Sequence, residues 1–333
     1  MGACTGRAAD SAEHDDSDGK ILLGFSQIGA ESAWRTYNSK SVQEAAQAAG
    51  IQLLFSNAEQ KQENQIKAIR SFIVYRVDVI AFVPIVQDGW DNVLREAKAA
   101  HIPVIVCDRK LVTSDESLYD AYIGTDSVEE GRRAARFLQQ KFAVDGTGAR
   151  GASVGSASAA RATVNILELR GTDGSSASEG RMQGFREQLA GDARFRIVYS
   201  ESGNFIRSRG REIARTLLAA NGDQLRIGAT PVDVIFSAND GMTLGFLEEL
   251  NAHGITTGAD ITVVTVDAQQ EAIDRLRAGE INCVIECKPD IGSNIMATAK
   301  RLVAGKSVPR ELHVDEQVFT EFDDLAAIAP RAY

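Results

Sequence analysis

The stretch GFSQIGAESAWRTYNSKSVQEAAQAAG, residues 24–50, contains the structural unit that the rest of the chain repeats. It begins within the apolar run ILLGF, typical of a buried strand, and continues into small and apolar residues at helical spacing that end at Gly50. The junction carries Ser26, Gln27, Glu31, Trp34 and Arg35. A turn from strand to helix does not itself require a carboxylate, a guanidinium and an indole, so this junction is a candidate binding surface.

Strand-like and helix-like runs alternate from Lys20 to the end of the chain. The strand-like runs are short, continuous and rich in Val and Ile, which is typical of parallel strands covered by helices on both faces. They are ILLGF, IQLLF, VDVIAFVP, IPVIVC, AYIG, TVNILEL, RIVYS, VDVIFS, ITVVTV and INCVIE. This number of units is too large for one compact sheet, so the sequence predicts an α/β fold with two doubly wound parallel-sheet domains.

Composition and charge argue against nucleic acid and a membrane span. The 333 residues include 36 Lys and Arg against 46 Asp and Glu, which gives a net charge of -10. Neutralising phosphates requires clustered Lys and Arg, and the sequence has no long basic run. It also has no continuous apolar segment of membrane-spanning length.

Residues 1–19 are small, polar and acidic without hydrophobic periodicity, which predicts a disordered tether. Within them, Gly2-Ala3-Cys4 is similar to the end of a bacterial lipoprotein signal, in which the Cys becomes the lipidated first residue. On this interpretation Cys4 carries a lipid anchor, and the apolar leader that would precede it is missing from the sequence. The alternative is an incidental Cys in a flexible tail.

The other cysteines and the histidines do not form a disulfide or metal-binding pattern. Cys283 and Cys287 lie four positions apart in a strand-like run, where their Cα atoms would be about 13 Å apart, beyond disulfide reach. Cys107 ends the apolar run IPVIVC and is expected to be a small buried hydrophobe. The four histidines are scattered, so we expect no metal and no cofactor.

The segment AVDGTGARGASVGSASAAR, residues 143–161, interrupts the alternation. It contains Gly146-x-Gly148-x-x-Gly151, nominally a dinucleotide-binding pattern, which needs a strand before it and a helix after it. Here the pattern follows a helix-like run and leads into Gly, Ser and Ala. A flexible surface insertion is therefore favoured.

Polar residues follow nearly every strand-like run, and ligands of open parallel sheets bind outside the carboxyl ends of the strands. Beyond the first junction they are Asp108, Arg109, Thr125, Asp126, Arg170, Gly171, Thr172, Arg181, Glu201, Asn204, Phe205, Asn239, Asp240, Asp267 and Glu286. Singly, Asp126 or Asp240 could be no more than a helix cap, and Trp34 with Tyr37 could belong to the core. Neighbouring Arg and Asp residues could simply pair on the surface.

Taken together, these residue types suit a neutral polyhydroxylated ligand. Carboxylates accept from hydroxyls, guanidinium groups donate to vicinal oxygens, and an aromatic ring packs on the C–H face of a sugar. No nucleophile elbow, phosphate-binding loop or suitably placed His is present. Paired carboxylates could indicate glycoside hydrolysis, but Arg35, Arg109 and Arg181 would keep them ionised, which is wrong for a general acid. We therefore expect binding without catalysis.

The order of motifs resembles that of bacterial periplasmic sugar-binding proteins of the ribose/galactose type, in particular the galactofuranose-binding subgroup. The motifs are GFSQIGAESAWR, EQKQENQIKAIRSF, VCDR, GT-x-GSS with RMQGF, SGNFIRSRG, SAND, TVD and the final Tyr333. The resemblance covers nearly all of residues 20–333 and implies a receptor for an ABC sugar importer. It also implies two lobes around a ligand cleft, joined by a three-crossing hinge that lets them close.

The resemblance implies crossings near 125–127, 286–288 and 314–317. The lobes would then be residues 20–126 plus 288–315, and residues 127–287 plus 316–333.

The resemblance also implies which residues form the walls of the cleft. The first wall would contain Ser26, Glu31, Trp34, Arg35, Asp108 and Arg109. The second would contain Arg181, Phe205, Asn239, Asp267 and Glu286. Asp126 and Thr172 are further candidates for the cleft. The chain departs from the subgroup in its tether and insertion, in GMT after Asn239-Asp240, and in Gly180, where the subgroup has an acidic residue.

The expected partners are a sugar and the permease subunits of the importer, with the protein acting as a monomer at the periplasmic or extracellular face of the cytoplasmic membrane. One alternative, a transcription regulator of similar architecture, requires an N-terminal helix-turn-helix that the acidic residues 1–19 cannot supply. A second is a sugar sensor for a chemoreceptor or kinase, and a third is a glycoside-modifying enzyme on the same scaffold.

Overall fold

The computed structural model describes residues 20–143 and 163–333. The expected tether 1–19 with the lipidation candidate Cys4 lies outside the described residues, as does the expected insertion from residue 144 onward.

Strands and helices alternate through both described ranges. The strands are β1 (Leu22–Gln27), β2 (Gln52–Asn57), β3 (Val79–Phe82), β4 (Val104–Asp108), β5 (Ala121–Gly124), β6 (Val164–Arg170), β7 (Phe195–Ser202), β8 (Arg226–Ile227), β9 (Thr230–Pro231), β10 (Val234–Ser237), β11 (Thr262–Asp267), β12 (Cys283–Glu286), β13 (Glu311–His313) and β14 (Val318–Thr320). The helices are α1 (Ala33–Ala49), α2 (Gln62–Val74), α3 (Asp91–Ala99), α4 (Ser127–Lys141), α5 (Ser176–Leu189), α6 (Arg207–Ala220), α7 (Asp240–Ala252), α8 (Gln270–Arg277) and α9 (Gly292–Val303).

The larger strands form two six-stranded sheets of the same topology. The first sheet has the order β13-β5-β4-β3-β1-β2 and is parallel throughout. The second has the order β14-β12-β11-β10-β6-β7 and is parallel except for β14, which pairs antiparallel with β12. We call the first sheet with α1, α2, α3 and α9 the first lobe, and the second sheet with α4 to α8 the second lobe.

Helices pair on the sheet faces, α1 with α9 and α2 with α3 in the first lobe, and α4 with α5 and α6 with α7 in the second. Each sheet has its own apolar core, and the strands β1, β3 and β4 are nearly fully buried, as their unbroken apolar sequences require.

Local sequence fixes the ends of α1, the helix that follows the opening stretch. The Ser32 hydroxyl caps its N-terminus by accepting a hydrogen bond from the Arg35 backbone N–H. Gly50 ends the helix in the left-handed conformation, with φ of 69°. These caps place Trp34 and Arg35 in the first turn, at the carboxyl end of β1.

The chain passes between the two sheets after β5, after β12 and between β13 and β14. The predicted fold class, two doubly wound lobes with three connections, is thereby confirmed. The sequence did not predict the short edge strands β13 and β14, the antiparallel direction of β14 or the β8–β9 hairpin.

The structure also bears on the cysteine and membrane expectations. Cys107, Cys283 and Cys287 are buried free thiols. None of the helices within residues 20–143 and 163–333 combines the length and apolarity that crossing a membrane demands.

Candidate functional site

The candidate site lies between the lobes, at the carboxyl ends of both sheets. In each sheet the strand order reverses at one point, between β1 and β3 in the first and between β6 and β10 in the second. Crevices at such reversal points are where open α/β sheets bind their ligands.

A narrow cavity occupies this position; its empty space, counted together with its open mouth, is about 290 Å³. Both lobes contribute to its wall, together with the connection after β12. The lining residues are Glu31, Ser32, Trp34, Arg35, Asp108, Arg109, Ala177, Arg181, Phe205, Asn239, Asp267 and Cys287.

Two buried ion pairs form the wall of the first lobe. Arg35 Nη2 donates to Asp108 Oδ2 at 2.6 Å, and Arg109 Nη2 donates to Glu31 Oε1 at 2.7 Å. The side chains are no more than 7% exposed, so water screens these interactions little. Burial opposes the charge on Arg35, but Asp108 and Glu31 outweigh it and raise the pKa of Arg35.

Arg181 is the charged group of the second wall. Its Nε donates to Glu130 Oε2 at 2.5 Å and its Nη1 donates to the Ala238 carbonyl at 2.7 Å. Burial disfavours its charge, but Glu130 and the neighbouring acidic groups raise its pKa well above the usual value. The guanidinium is therefore charged and held by two partners.

Asn239 is fixed by the helix that it begins. Its Oδ1 accepts from the Met242 backbone N–H at 3.0 Å, capping α7, and its Nδ2 donates to the Phe205 carbonyl at 3.2 Å. Its position at the cavity thus follows from its role as a cap.

Two aromatic side chains face the cavity. The indole N–H of Trp34 in the first lobe donates to the Cys287 carbonyl at 2.6 Å, and its ring packs with the apolar core of the second lobe. The Phe205 ring lies 5.0 Å from the Arg109 guanidinium and 5.9 Å from that of Arg181. The rings therefore connect the two walls as well as lining the space between them.

Backbone strain occurs at three cavity residues. Asp108, Phe205 and Asp267 have φ of 57°, 62° and 128°, values that L-residues seldom adopt. Such strain concentrates at ligand-binding sites because the surrounding structure must hold it in place.

Asp267 and the adjacent buried Asp240 disfavour each other's charge. Burial, and then the proximity of Asp240, raises the pKa of Asp267 well above its usual value. Burial also raises the pKa of Asp240 to about 7, although the Gln269 N–H and the Thr265 hydroxyl donate to its carboxylate. Asp240 is thus a buried support behind the cavity wall.

Each guanidinium group at the cavity is paired with a carboxylate. The pairs are Arg35 with Asp108, Arg109 with Glu31, and Arg181 with Glu130 behind the wall. An ionic ligand would leave one sign in excess in a buried space, whereas a neutral ligand with several hydroxyls could exchange hydrogen bonds with both.

Nine predicted site residues meet at this cavity, whereas Ser26, Asp126, Thr172 and Glu286 lie elsewhere. Ser26 is completely buried within β1. Asp126 is an exposed cap of α4, accepting from the backbone N–H groups of residues 128 and 129. The Thr172 carbonyl accepts from the Ser175 hydroxyl.

Glu286 differs because it faces the opposite side of the crossings. Its Oε1 accepts from Arg331 Nη2 at 2.6 Å and its Oε2 accepts from the Gln317 backbone N–H at 2.8 Å. It lines a separate polar cavity with Lys288 and Tyr333. The alternation of side chains along β12 places the next residue, Cys287, at the candidate site.

The sequence did not identify Ser32, Ala177 and Cys287 as lining residues, nor Glu130 as the partner of Arg181. Ser32 and Ala177 are common residue types near helix starts, and Cys287 accepts the Trp34 hydrogen bond through its backbone carbonyl. Glu130 lies inside α4, away from any strand end, so strand-end reasoning could not find it.

Similarity to known proteins is consistent with this geometry. Residues 23–307 match the periplasmic binding protein domain family. The galactofuranose-binding protein YtfQ of Escherichia coli K12 is 31% identical over 292 residues, which are 88% of this chain and 85% of that protein.

Two solved structures with bound sugars also align with the chain. A Mycobacterium smegmatis structure in complex with β-D-fucofuranose is 39% identical with a TM-score of 0.83, covering 92% of this chain and 94% of that one. The binding protein of the arabinose ABC transporter from Shewanella sp. ANA-3, bound to α- and β-L-arabinofuranose, is 35% identical with a TM-score of 0.81 at 92% and 94% coverage. The chain therefore belongs to the periplasmic binding proteins of the ribose/galactose type.

Proposed function

We propose that this protein captures a neutral monosaccharide in its furanose form and delivers it to an ABC importer. The observation that carries the proposal is the cavity between the lobes, at which each guanidinium group is paired with a carboxylate. The family consists of solute-binding proteins, not enzymes, so binding is the whole of the chemistry assigned to the cavity.

The furanose preference is supported by three relatives. One is described as galactofuranose-binding, and the other two contain a fucofuranose and an arabinofuranose. They share 31–39% of their residues with this chain, and each aligned region covers at least 85% of both chains.

We propose that nine predicted residues contact the sugar. They are Glu31, Trp34, Arg35, Asp108, Arg109, Arg181, Phe205, Asn239 and Asp267. Asp108 and Asp267 would accept from hydroxyls, the three guanidinium groups would donate to ring and hydroxyl oxygens, and Phe205 would pack on a C–H face.

Titration calorimetry on a matched sugar panel tests the proposal. The panel contains L-arabinose, D-galactose and D-fucose, each also as its methyl furanoside and methyl pyranoside, in which the ring form is fixed. We expect a furanoside to bind with 1:1 stoichiometry and the matching pyranoside to bind at least about tenfold more weakly, a difference of 1.4 kcal/mol. Binding of pyranosides alone, or of a purine with no sugar, would refute it.

We propose that the moving units are the two lobes that the family resemblance implies, residues 20–126 plus 288–315 and residues 127–287 plus 316–333. Two hydrogen bonds join the lobes at the opening of the cleft. The Gln87 N–H donates to the Gly174 carbonyl at 2.9 Å, and the Lys110 N–H donates to the Ser176 hydroxyl at 2.7 Å. Small-angle scattering should show a smaller radius of gyration with sugar than without it; an unchanged radius would exclude closure on binding.

We further propose that the protein works as a monomer at the outer face of the cytoplasmic membrane, held there through Cys4 and recognised by the permease when closed. Globomycin, an inhibitor of lipoprotein signal cleavage, should cause an unprocessed precursor to accumulate when the full-length gene is expressed. A Cys4→Ser variant should show no such effect, and identical behaviour of the two proteins would exclude lipidation.

A further inference from the structure

A pair of carboxyl groups, one completely buried and one half-buried, lies at the hinge, outside the sugar cavity. Glu316 is on the crossing between β13 and β14, and Glu130 is on α4. One oxygen of each lies within 4.8 Å of the other and of the Cys287 Sγ. Arg133, also on α4, donates to the Glu316 backbone carbonyl at 3.2 Å, which holds this crossing against the helix.

Hydrogen bonding leaves one oxygen of each carboxyl group without a partner. Glu130 is completely buried, and its Oε2 accepts from Arg181. Among the described residues, Glu130 Oε1 and Glu316 Oε1 are buried and have no hydrogen-bond donor. Two ionised carboxylates are both acceptors and repel each other, so this proximity favours a proton or a cation between them.

The charges around Glu130 and Glu316 favour a proton over a cation between the two carboxyl groups. The Arg181 guanidinium already neutralises Glu130, and Arg133 adds a second positive charge beside the pair. A metal ion would face both cations. Burial raises the pKa of Cys287 well above its usual value, so its sulfur stays a neutral thiol, a weak metal ligand.

We propose that the carboxyl group of Glu316 is protonated and donates a hydrogen bond to Glu130, fixing the carboxylate that in turn holds Arg181 at the sugar cavity. Glu316 is then a positioning residue: it touches no ligand, but it couples the hinge crossing to a binding residue through one intermediate. Only one proton is involved, and Glu130 keeps its negative charge for Arg181.

The electrostatics agree with this assignment. Burial, followed by the charge of Glu130, raises the pKa of Glu316 from 4.5 to about 11. The titratable and charged groups around the pair come from several elements: Tyr122 on β5, Arg133 on α4, Arg181 on α5, Asp267 on β11 and Cys287 after β12.

The raised pKa has a definite effect on stability. Between pH 4.5 and about 11 the folded protein retains a proton that the unfolded chain releases, so the contribution of this group to the unfolding free energy falls as pH rises. Glu316→Gln keeps a neutral hydrogen-bond donor and removes the titration.

Thermal and urea unfolding of the Glu316→Gln variant against the parent, from pH 5 to pH 9, tests the pair directly. We expect similar stability near pH 5 and a growing advantage of the variant above it, up to about tenfold in the folding equilibrium per pH unit. Asp315→Asn, which removes the same charge from an exposed side chain of the same crossing, should follow the parent. The proposal would be refuted if the stability of the parent and that of Glu316→Gln changed equally with pH.

A binding measurement tests the positioning role, and this part rests on the proposed function. Glu316→Ala removes the donor and should weaken sugar binding about tenfold, as expected for one buried acceptor left unpaired. Glu316→Gln should bind as the parent does at pH 7. Equal affinity of all three would refute the positioning role, whereas absence of sugar binding in the parent would count against the proposed function and leave the stability test valid.

A metal ion between Glu130 and Glu316 is the alternative to a shared proton. The parent is dialysed against EDTA and then titrated with Zn²⁺ alone at pH 7. Stabilisation by Zn²⁺ in the parent, lost in Glu316→Gln, would replace the shared proton by a metal. No shift in either protein supports the proton.

Discussion

Arg109 has contacts in both lobes through a single side chain. Its guanidinium pairs with Glu31 in the first lobe and stacks on Phe205 in the second, while Nη1 donates to the Ile85 carbonyl at 3.3 Å. Burial, the largest influence, lowers its pKa, and Glu31 opposes this effect. Its removal therefore affects the ligand site and the contact between the walls together.

We predict that Arg109→Ala weakens sugar binding by about 2–5 kcal/mol, because it leaves the buried Glu31 carboxylate poorly paired. Calorimetry with the tightest sugar of the panel measures the loss. Arg95→Ala is the matched control, since Arg95 pairs with Asp91 on the surface and its loss should leave affinity unchanged. Equal affinity of Arg109→Ala and the parent would remove Arg109 from the site.

A second prediction concerns the buried Asp240. Since its pKa is raised from 3.8 to about 7, its protonated form favours the folded state at low pH, and this contribution is lost as pH rises through about 7. Asp240→Asn can accept from the Gln269 N–H and donate to the Thr265 hydroxyl. We therefore expect the variant to gain stability relative to the parent between pH 4 and pH 8.

Unfolding curves at several pH values measure this gain. Asp274→Asn, at an exposed surface pair with Arg277, serves as the control and should keep the slope of the parent. A constant difference between Asp240→Asn and the parent across this pH range would contradict the prediction.

At this scale the sequence predicts residue types at strand ends but not the direction of each side chain. Asp108 and Asp126 both follow strands, yet one lines the cavity and the other caps a helix. Glu286 and Cys287 are adjacent, and the strand pleat alone decides which of them faces the ligand.

At the scale of the elements, close contact between α4 and α5 sets the position of Arg181. A Cβ added at Gly131 on α4 would lie 2.0 Å from the Arg181 carbonyl, well inside contact distance. Helix propensity alone favours Ala over Gly in a helix by about 1 kcal/mol. Packing and propensity thus predict opposite effects of the same substitution.

We predict that Gly131→Ala destabilises the protein, because overpacking of this kind costs about 1–3 kcal/mol, and that it weakens sugar binding by displacing Arg181. Urea unfolding and calorimetry give the two values. Gly191→Ala, whose added Cβ meets no atom within 4 Å, should change neither. A stabilised Gly131→Ala variant would mean that propensity, not packing, governs this contact.

The longer elements could be predicted from the sequence because each repeats its period several times. β13 and β14 have three residues each, too few to show a period, and they are defined only by pairing with β5 and β12. Likewise, α4 appears amphipathic in sequence, but nothing in its period indicates that Glu130 supports a binding residue.

At the scale of the whole molecule, the mouth of the cleft brings Val86 of the first lobe against Gly174 of the second. A Cβ built at Gly174 would lie 3.9 Å from the Val86 Cβ, within the disulfide range of about 3.5–4.5 Å, although the φ of 76° at Gly174 strains any residue with a side chain there. The native thiols Cys107, Cys283 and Cys287 are buried, and burial raises the pKa of each, so none competes for exchange.

We predict that a Val86→Cys/Gly174→Cys double variant, made with Cys4→Ser, forms its disulfide faster with sugar than without, because sugar favours the closed form. The oxidised protein should release bound sugar more slowly than the reduced protein. Free-thiol titration over time measures the first effect and ligand displacement the second. Each single Cys variant is the control, and equal rates of disulfide formation with and without sugar would contradict closure on binding.

The arrangement of the two lobes and their crossings was the feature hardest to predict from the sequence. Alternation implied two sheets, but only the resemblance to a family implied three crossings, because pairing of β13 with β5 joins positions about 190 residues apart. Glu130 and Glu316 are likewise far apart in the sequence and come together only in the folded chain.

The pairing of each guanidinium group at the cavity with a carboxylate determines how salt affects binding. Paired buried charges at contact distance are little screened by dissolved ions, and a neutral sugar does not feel the long-range field of a chain with net charge -10. Capture should therefore be equally strong in dilute and concentrated salt. Binding of this protein to the permease through charged surface residues would weaken as the salt concentration rises. Salt would then change delivery of the sugar to the permease but not its capture by this protein.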